Sequence, residues 1–518
     1  MQSLFLDTRV LDKAVRERYG LTEEVMMENA AVALERAVVQ RLMQITEKPA
    51  ERRVVILCGS GNNGADGYAL ARRLAGFGSG GAMPIVPVVI LCAEPKSDLC
   101  RLQAERAEKC GVRFVRTEAA DEAENLIARA DCIVDCIFGS GFHGALDEGV
   151  AALCLRVNRA KGIRIACDVP TGVRENGSVA DGGFCADCTV TMGALKCSLY
   201  GDAAKDFVGQ VTCENLGVSR MLFESVLIGG AGNAAGVGST AAAMLLETSD
   251  VVLPHRKKKL VNKGSFGHVA VVSGEKIGAS CIAGEAALHF GAGLVSLVRL
   301  GTAFEKTELP EVSPELMAAT DFPANTTAVA LGMGLGRTDG TATPYFDWLC
   351  AHAEIPCVID ADAFFSDGLR DFLQKRSTDT LGGIVLTPHP KEFQSLLALC
   401  GLGNYTISDC VIERPALMET FCRAFPKVVL LVKGANPMIG TFDGAQFKLF
   451  VNPLGKNCLA KAGSGDVLAG LICSLLAQGY TPLDATISAS LAHALASCRF
   501  KNDFALTPLA LIDAVSNL

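Results

Sequence analysis

The feature that most restricts this chain is a repeated succession. A short apolar run ends on a polar, often glycine-rich loop, and the loop leads into a stretch with helical spacing. Val54 to Cys58 runs into GSGNNGADG, Cys132 to Phe138 into GSGFHGA, Ile163 to Cys167 into DVPTG, and Lys427 to Val432 into KGANP. Strands alternating with helices in this way build βαβ units and parallel sheets. Composition agrees. The chain is 50% hydrophobic with only 6% aromatic residues, the usage of buried parallel strands covered by helices on both faces. The expected class is α/β, and in open sheets of this class ligands bind outside the carboxyl ends of the strands.

The 518 residues exceed one ordinary core. The succession breaks between about Val218 and Asp250, where GGAGNAAGVGST has the composition of a connection. The reading is therefore a domain over 1–220, a linker over 221–250 and a domain over 251–518. Further strands are expected at Val86 to Cys92, Thr189 to Met192, His268 to Ser273, Leu294 to Val298, Ala328 to Leu331, Cys357 to Ile359 and Ile384 to Leu386. Ahead of the first glycine loop, Thr22 is placed to cap a helix that begins at Glu23 and Glu24.

A formal charge of −8 gives no footprint for nucleic acid or an anionic membrane. No apolar run approaches the roughly 18 residues of a membrane helix, and the start of the chain lacks a signal peptide's apolar core. A cytoplasmic protein without membrane or nucleic-acid partners is expected. The 21 cysteines lie scattered in apolar runs, where thiols act as small hydrophobes. A disulfide framework is not expected, and Cys185 and Cys188 read as part of a strand region, not a redox motif.

In the N-terminal half, GSGNNGADG at 59–67 joins a strand to a helix. Its glycines bring backbone close to a ligand, and the helix start offers N–H groups to anionic oxygens. Three more clusters follow: Asp135 with FGSGFHGA at 138–145, CDVPTG at 167–172, and Asp187 with Lys196. Each alone is ordinary turn chemistry; together they gather carboxylates, amides and a hydroxyl. With NNGxDG, DxxFGxG, DxPxG and ADxTVTxGxxK in order, residues 5–220 resemble the NAD(P)HX epimerase domain, which is Rossmann-like. The resemblance implies that Asn62, Asn63, Gly64, Ala65 and Asp66, with Gly139, Ser140, Gly141, Phe142, His143, Gly144 and Ala145, hold the hydrated dinucleotide. It implies that Asp168 touches the nicotinamide ring as the catalytic carboxylate, and that Asn63, Asp135 and Thr171 bind K⁺.

In the C-terminal half, AKAGSGDVLAG at 460–470 runs a glycine loop into an apolar helix expected to continue to about Gln478. Its N–H groups suit a phosphoryl group in transfer, and Asp466 can take a proton from an attacking hydroxyl. The loop resembles that of the ribokinase-like superfamily. Over about 250–518 the chain resembles the ADP-dependent NAD(P)HX dehydratases more closely, through NKGSFGHV at 262–269, GEAALHFGAGLV at 284–295, PELM at 314–317, LGMGLG at 331–336, DADAF at 360–364, TPHPKEF at 387–393 and VKGANP at 432–437. The resemblance implies nucleotide contacts from Lys433, Gly434, Ala435, Asn436, Pro437 and Gly465, and hydrate contacts from Ala279, Gly334, His389 and the catalytic Asp466, with Mg²⁺ accompanying ADP. The loop before Gly278 is about two residues shorter than the family's. The basic run His255 to Lys259 reads as a solvated face, and Lys263 as the better candidate for a ligand contact.

Together the halves resemble the bifunctional NAD(P)H-hydrate repair enzymes. That resemblance implies epimerisation of the R and S hydrates (NADHX and NADPHX) and ADP-dependent dehydration of the S form, releasing AMP and phosphate, in a homo-oligomer. The alternative left open is a ribokinase-like kinase for a small alcohol or vitamin precursor, fused to a ligand-sensing domain.

Overall fold

The structure, a computed structural model, describes residues 1–45, 51–77, 83–226, 241–304, 316–377 and 383–518. Most of the glycine- and alanine-rich stretch, at 227–240, and the first two residues of the PELM motif lie outside the described residues. The chain divides into two compact units, Ser3–Ala242 and Met1–Gln2 with Ala243–Leu518.

The N-terminal unit holds a seven-stranded sheet ordered Arg113–Arg116, Ile85–Leu91, Arg52–Cys58, Cys132–Cys136, Ile163–Cys167, Cys188–Met192, Gln210–Glu214. Every neighbouring pair is parallel. From Arg52–Cys58 the chain first builds outward through Ile85–Leu91. It then returns to Cys132–Cys136 and builds the other way, so a switch point opens between those two central strands. Successive strand residues serve two cores. Ile56, Val134, Ile165 and Val190 pack with Leu34, Val38, Leu70 and Leu74, while Val55, Leu57, Ile133 and Ala166 pack with Ile127, Leu153 and Val157. This is why the strands read as unbroken apolar runs. Thr22 caps the helix Glu23–Met43 as expected, its Oγ1 accepting from Val25 N at 3.2 Å.

The sheet of the C-terminal unit runs Met317–Ala319, Leu294–Val298, His268–Val272, Ala328–Leu331, Cys357–Ile359, Ile384–Leu386, Val429–Val432, all parallel. Met438–Phe442 and Phe447–Val451 extend it antiparallel, and Ala243–Leu245 adds a strand parallel to the last. Its switch point lies between His268–Val272 and Ala328–Leu331. Helix Ser464–Ala477 is buried nearly all round, packed in one core with Ile277–His289 and Pro482–Ser497, so it is apolar throughout instead of amphipathic.

The hairpin is a difference from the sequence reading, and its signal was present in Asp443-Gly444. Asp443 Oδ1 accepts from Ala445 N and Gln446 N, both at 2.9 Å. Ala243–Leu245 is a second difference, a strand within the stretch read as a connection. All the cysteines are free thiols; Cys110 and Cys498 are exposed and the rest buried or partly so. No described helix is long and apolar enough to cross a membrane.

Candidate active sites

Two carbonyl contacts shape the switch point of the N-terminal unit. A Cβ on Gly59 would run into the Ile137 carbonyl oxygen, and one on Gly64 into that of Gly59, so only glycine lets these loops close on each other. Above them opens a cavity of about 560 Å³. Asn62, Asn63, Asp66, Gly139, Ser140, Gly141, Phe142, Asp168 and Lys196 line it, facing Asp12, Arg16, Met26 and Met27. Gly64 and Ala65 are buried within the loop that carries Asn63 and Asp66, while His143, Gly144 and Ala145 are exposed and outside the lining.

Asp168 sits at φ +64°, a left-handed conformation that costs a residue other than glycine roughly 1 kcal/mol or more. Its surroundings fix it there. Oδ2 accepts from Ser140 N at 3.2 Å, Oδ1 accepts from Thr191 Oγ1 and Met192 N at 3.3 Å each, and Lys196 Nζ lies 2.6 Å from Oδ1. Burial works against the charge, but the Lys196 ammonium and these donors outweigh it and hold the carboxyl below the usual range. Asp66 goes the other way. Burial and the neighbouring Asp168 push it well above that range, and the Cys167 thiol donates to its Oδ2 at 3.9 Å. Burial likewise lifts Asp12 to about 6. A carboxylate and protonatable carboxyls thus share one cleft, the arrangement that separates base from acid.

Beneath the cleft, Asp135 is fully buried. It accepts from Thr171 N at 2.7 Å, Thr171 Oγ1 at 2.8 Å and Ile137 N at 3.1 Å. Burial lifts it to about 6 despite those bonds, and it forms no ion pair among the described residues. Asn63 Nδ2 is buried without a partner. An uncompensated carboxylate, a hydroxyl and an amide with one unsatisfied end suit an oxygen-coordinated monovalent cation. Asp187 does not join this group, contrary to its pairing with Lys196 in the sequence reading. It stands before Cys188–Met192, at the amino end of the strand, and binds Arg164 at 2.9 Å.

In the C-terminal unit, neighbouring parallel strands deliver Gly332–Gly336, Asp360–Asp362, Thr387–Pro390 and Lys433–Pro437 to one sheet edge. Lys433 Nζ lies 2.7 Å from Asp360 Oδ1 and 4.0 Å from Glu392 Oε2. His389 caps helix Pro390–Leu399: its Nδ1 accepts from Glu392 N at 3.2 Å, while its own N donates to Glu392 Oε2 at 2.8 Å. Burial, then Lys433, pushes the imidazole below its ordinary value, with its side chain still about half exposed.

Gly463, at φ +88°, opens helix Ser464–Ala477, and a Cβ there would press on Pro508 at 2.5 Å. A Cβ on Gly465 would stand 3.2 Å from Lys433 Nζ and 3.7 Å from Asp360 Oδ2, which places the helix start over that ion pair. Asp466 follows in the first turn; burial, then Asp360, lifts it to about 6 against the pull of Lys433. Asn436 is buried, and its carbonyl accepts from Arg414 Nη1 at 3.2 Å, anchoring a loop whose Gly434 and Ala435 are exposed between the half-buried Lys433 and Pro437. At the switch point, the short loop still brings Ala279 against Gly334. Lys276 N donates to Gly334 O at 2.9 Å, and a Cβ on Gly334 would meet the Ala279 methyl at 3.0 Å. Lys263, in contrast, precedes its strand and lies exposed at the opposite sheet edge, and His255 to Lys259 are exposed as expected.

Asp360 and Glu392 stood in quoted motifs without a role, and Asp12 had no sequence signal. Its helix, Arg9–Tyr19, reaches the cleft only through tertiary packing.

Residues 23–198 match the family described as YjeF-related protein N-terminus, and 269–517 the one described as NAD(P)H-hydrate dehydratase. The chain is similar to the bifunctional NAD(P)H-hydrate repair enzyme Nnr of Helicobacter pylori, 41% identical over 518 residues and 100% of both chains. It is also similar to the enzyme of that name from Moorella thermoacetica, 30% identical over 91% of this chain and 87% of the other. The solved ADP/ATP-dependent NAD(P)H-hydrate dehydratase of Bacillus subtilis aligns with 53% of this chain and 97% of its own, at 22% identity and a TM-score of 0.44.

Proposed function

The chain belongs to the family of bifunctional NAD(P)H-hydrate repair enzymes, and from that premise we propose that its N-terminal cleft epimerises hydrated NADH and NADPH while the site around Asp466 dehydrates the S form with ADP. The observation that carries the reading is Asp466 in the first turn of an apolar helix, beside Lys433 and Asp360. A base stands there where helix N–H groups and an ammonium meet a phosphoryl group.

In the C-terminal site, Asp466 takes the proton of the C6 hydroxyl as its oxygen attacks the terminal phosphorus of ADP. The O–P bond forms and AMP leaves. Phosphate, a far better leaving group than hydroxide, then departs from C6 while a proton leaves C5, restoring the dihydronicotinamide. Lys433, Gly434, Ala435, Asn436, Pro437 and Gly465 line the nucleotide in this reading; Ala279, Gly334 and His389 hold the hydrate. Mg²⁺ bound with ADP would neutralise phosphate charge.

In the N-terminal cleft, Asn62 to Asp66 and Gly139 to Ala145 hold the hydrated dinucleotide, with the Asp168 carboxylate against its ring. Epimerisation breaks the C6–O bond, the nitrogen lone pair forming an iminium that the carboxylate stabilises, and water returns to either face. Asn63, Asp135 and Thr171 hold K⁺, which would neutralise Asp135 and tie three loops together. We assign the epimerase to 1–220 and the dehydratase to 251–518, in a cytoplasmic homo-oligomer.

The deciding assay follows recovery of dihydronicotinamide absorbance from mixed hydrates of NADH with ADP and Mg²⁺. Complete recovery is expected; Asp168→Ala should stop it after the S form, and failure of the wild-type protein to recover any absorbance overturns the reading. Phosphorylation of an unrelated alcohol in its place would favour a small-molecule kinase.

A further inference from the structure

Asp12 projects from helix Arg9–Tyr19 into the cleft that holds Asp66, Asp168 and Lys196. Its carboxyl forms no hydrogen bond or ion pair among the described residues, whereas that of Asp168 is held by three donors and an ammonium. The charged groups acting on it are Lys196, Asp168, Arg16 and Asp7, and Asp66 feels it in turn; Arg9 and Glu23 complete the ionisable lining. A carboxyl without a structural partner, beside a fixed carboxylate and facing a cavity, is placed to exchange a proton with whatever fills that cavity.

Resting on the epimerase reading of this cleft, we propose that Asp12 is a catalytic residue that donates the proton on which the C6 hydroxyl leaves and recovers it when water returns. The balance closes. The Asp12 O–H proton passes to the hydroxyl oxygen, the C6–O pair leaves with that oxygen as water, and the ring nitrogen lone pair forms the C6–N double bond beside the Asp168 carboxylate. Water then adds to the opposite face and its surplus proton passes, through the water just released, to the Asp12 carboxylate, so the cleft ends as it began. Division of labour follows from the surroundings. Lys196 keeps Asp168 ionised and unable to donate, while Asp12, lifted to about 6 by burial and by Asp168, retains a proton at mildly acidic pH.

The test is Asp12→Asn and Asp12→Glu in the full-length protein, with interconversion of the R and S hydrates of NADPH followed from pH 5 to 8 and corrected for the uncatalysed rate. Dehydration of the S form and thermal melting report folding. Asp12→Asn is expected to lower the epimerisation kcat roughly 100-fold or more, leave KM and dehydration near wild type, and abolish the decline in rate as pH rises through about 6. Asp12→Glu should restore part of kcat. A rate within about threefold of wild type for Asp12→Asn, or an unchanged pH profile, overturns the proposal. So does a loss confined to KM, which would make Asp12 a binding residue. If wild type itself does not interconvert the hydrates, the reading of the cleft fails and this inference with it; if wild type does and Asp12→Asn does also, only the inference fails.

Discussion

Asp135 in the N-terminal unit and Asp360 in the C-terminal unit both end a central parallel strand, and both are almost wholly inaccessible. Their company differs. Asp360 has Lys433 at 2.7 Å; among the described residues Asp135 has only N–H and hydroxyl donors. A buried carboxylate needs more than hydrogen bonds to stay charged cheaply, so Asp360 finds its counter-charge within the chain, whereas Asp135, in the function proposed above, would take its own from K⁺. That contrast teaches how far each site is complete as a polypeptide.

The largest effect should fall on chemistry in one unit alone. Asp466→Asn is expected to lower dehydration by roughly 100- to 10,000-fold while epimerisation persists; equal loss of both activities would break the separation of the sites. In the wild type, a base raised to about 6 must be ionised to act. Dehydration should therefore fall as pH drops through 6, well above where an ordinary aspartate would begin to matter.

Next comes Lys196→Met, which leaves Asp168 as a buried charge without its ammonium. Breaking such a pair costs about 3–5 kcal/mol, read as a lowered melting transition at pH 7. Because Lys196 holds the Asp168 carboxyl below its usual value, the pair stabilises the fold above the unfolded-state value of about 4 and loses that contribution as pH falls through the lower folded value. The penalty should accordingly shrink in acid. A deficit that is constant with pH would mean Lys196 acts through packing.

A smaller effect sharpens the opening contrast directly. With ionic strength held by choline because exposed charges are screened, K⁺ should raise wild-type epimerisation and hydrate affinity by about tenfold. It should leave dehydration of the S form unchanged, and Asp135→Ala should remove the response. Indifference of wild type to K⁺ would show that Asn63, Asp135 and Thr171 only shape turns.

The smallest expected change concerns independence. A fragment ending just past residue 226, which keeps helix Arg220–Glu224 and the buried Phe223, should melt within a few degrees of the N-terminal transition in the full chain and keep its epimerase rate, since each N-terminal site residue precedes that point. Loss of activity in a folded fragment would assign part of the site to later residues.

Much of this was legible in the sequence because strand ends in parallel sheets announce themselves. The glycine loops at 59–67 and 460–466 could be placed from their apolar flanks alone. What escaped has physical reasons. Arg113–Arg116 and Gln210–Glu214 are edge strands in which Val115 alone is buried, so no apolar run marks them. Asp187 shares a motif with Lys196 but stands at the amino end of strand Cys188–Met192, and strand direction carries it away from the ligand edge. Asp12 lies on a helix whose sequence gives no hint that one turn faces a ligand cavity, and only the packed structure brings it beside Asp168.

The free thiols give this molecule a built-in gauge of its own opening. Burial makes the Cys58 and Cys136 thiols less acidic than usual, and the hydrogen bond with Cys136, then burial, does the same for Cys167, which meets Asp66, so a thiol-specific reagent at neutral pH should modify Cys110 and Cys498 first. The partly exposed thiols follow, and modification of the buried ones then requires a segment to part from its neighbours. The order and rate in which the remaining cysteines label would map which strands open together, without adding a single probe to the chain.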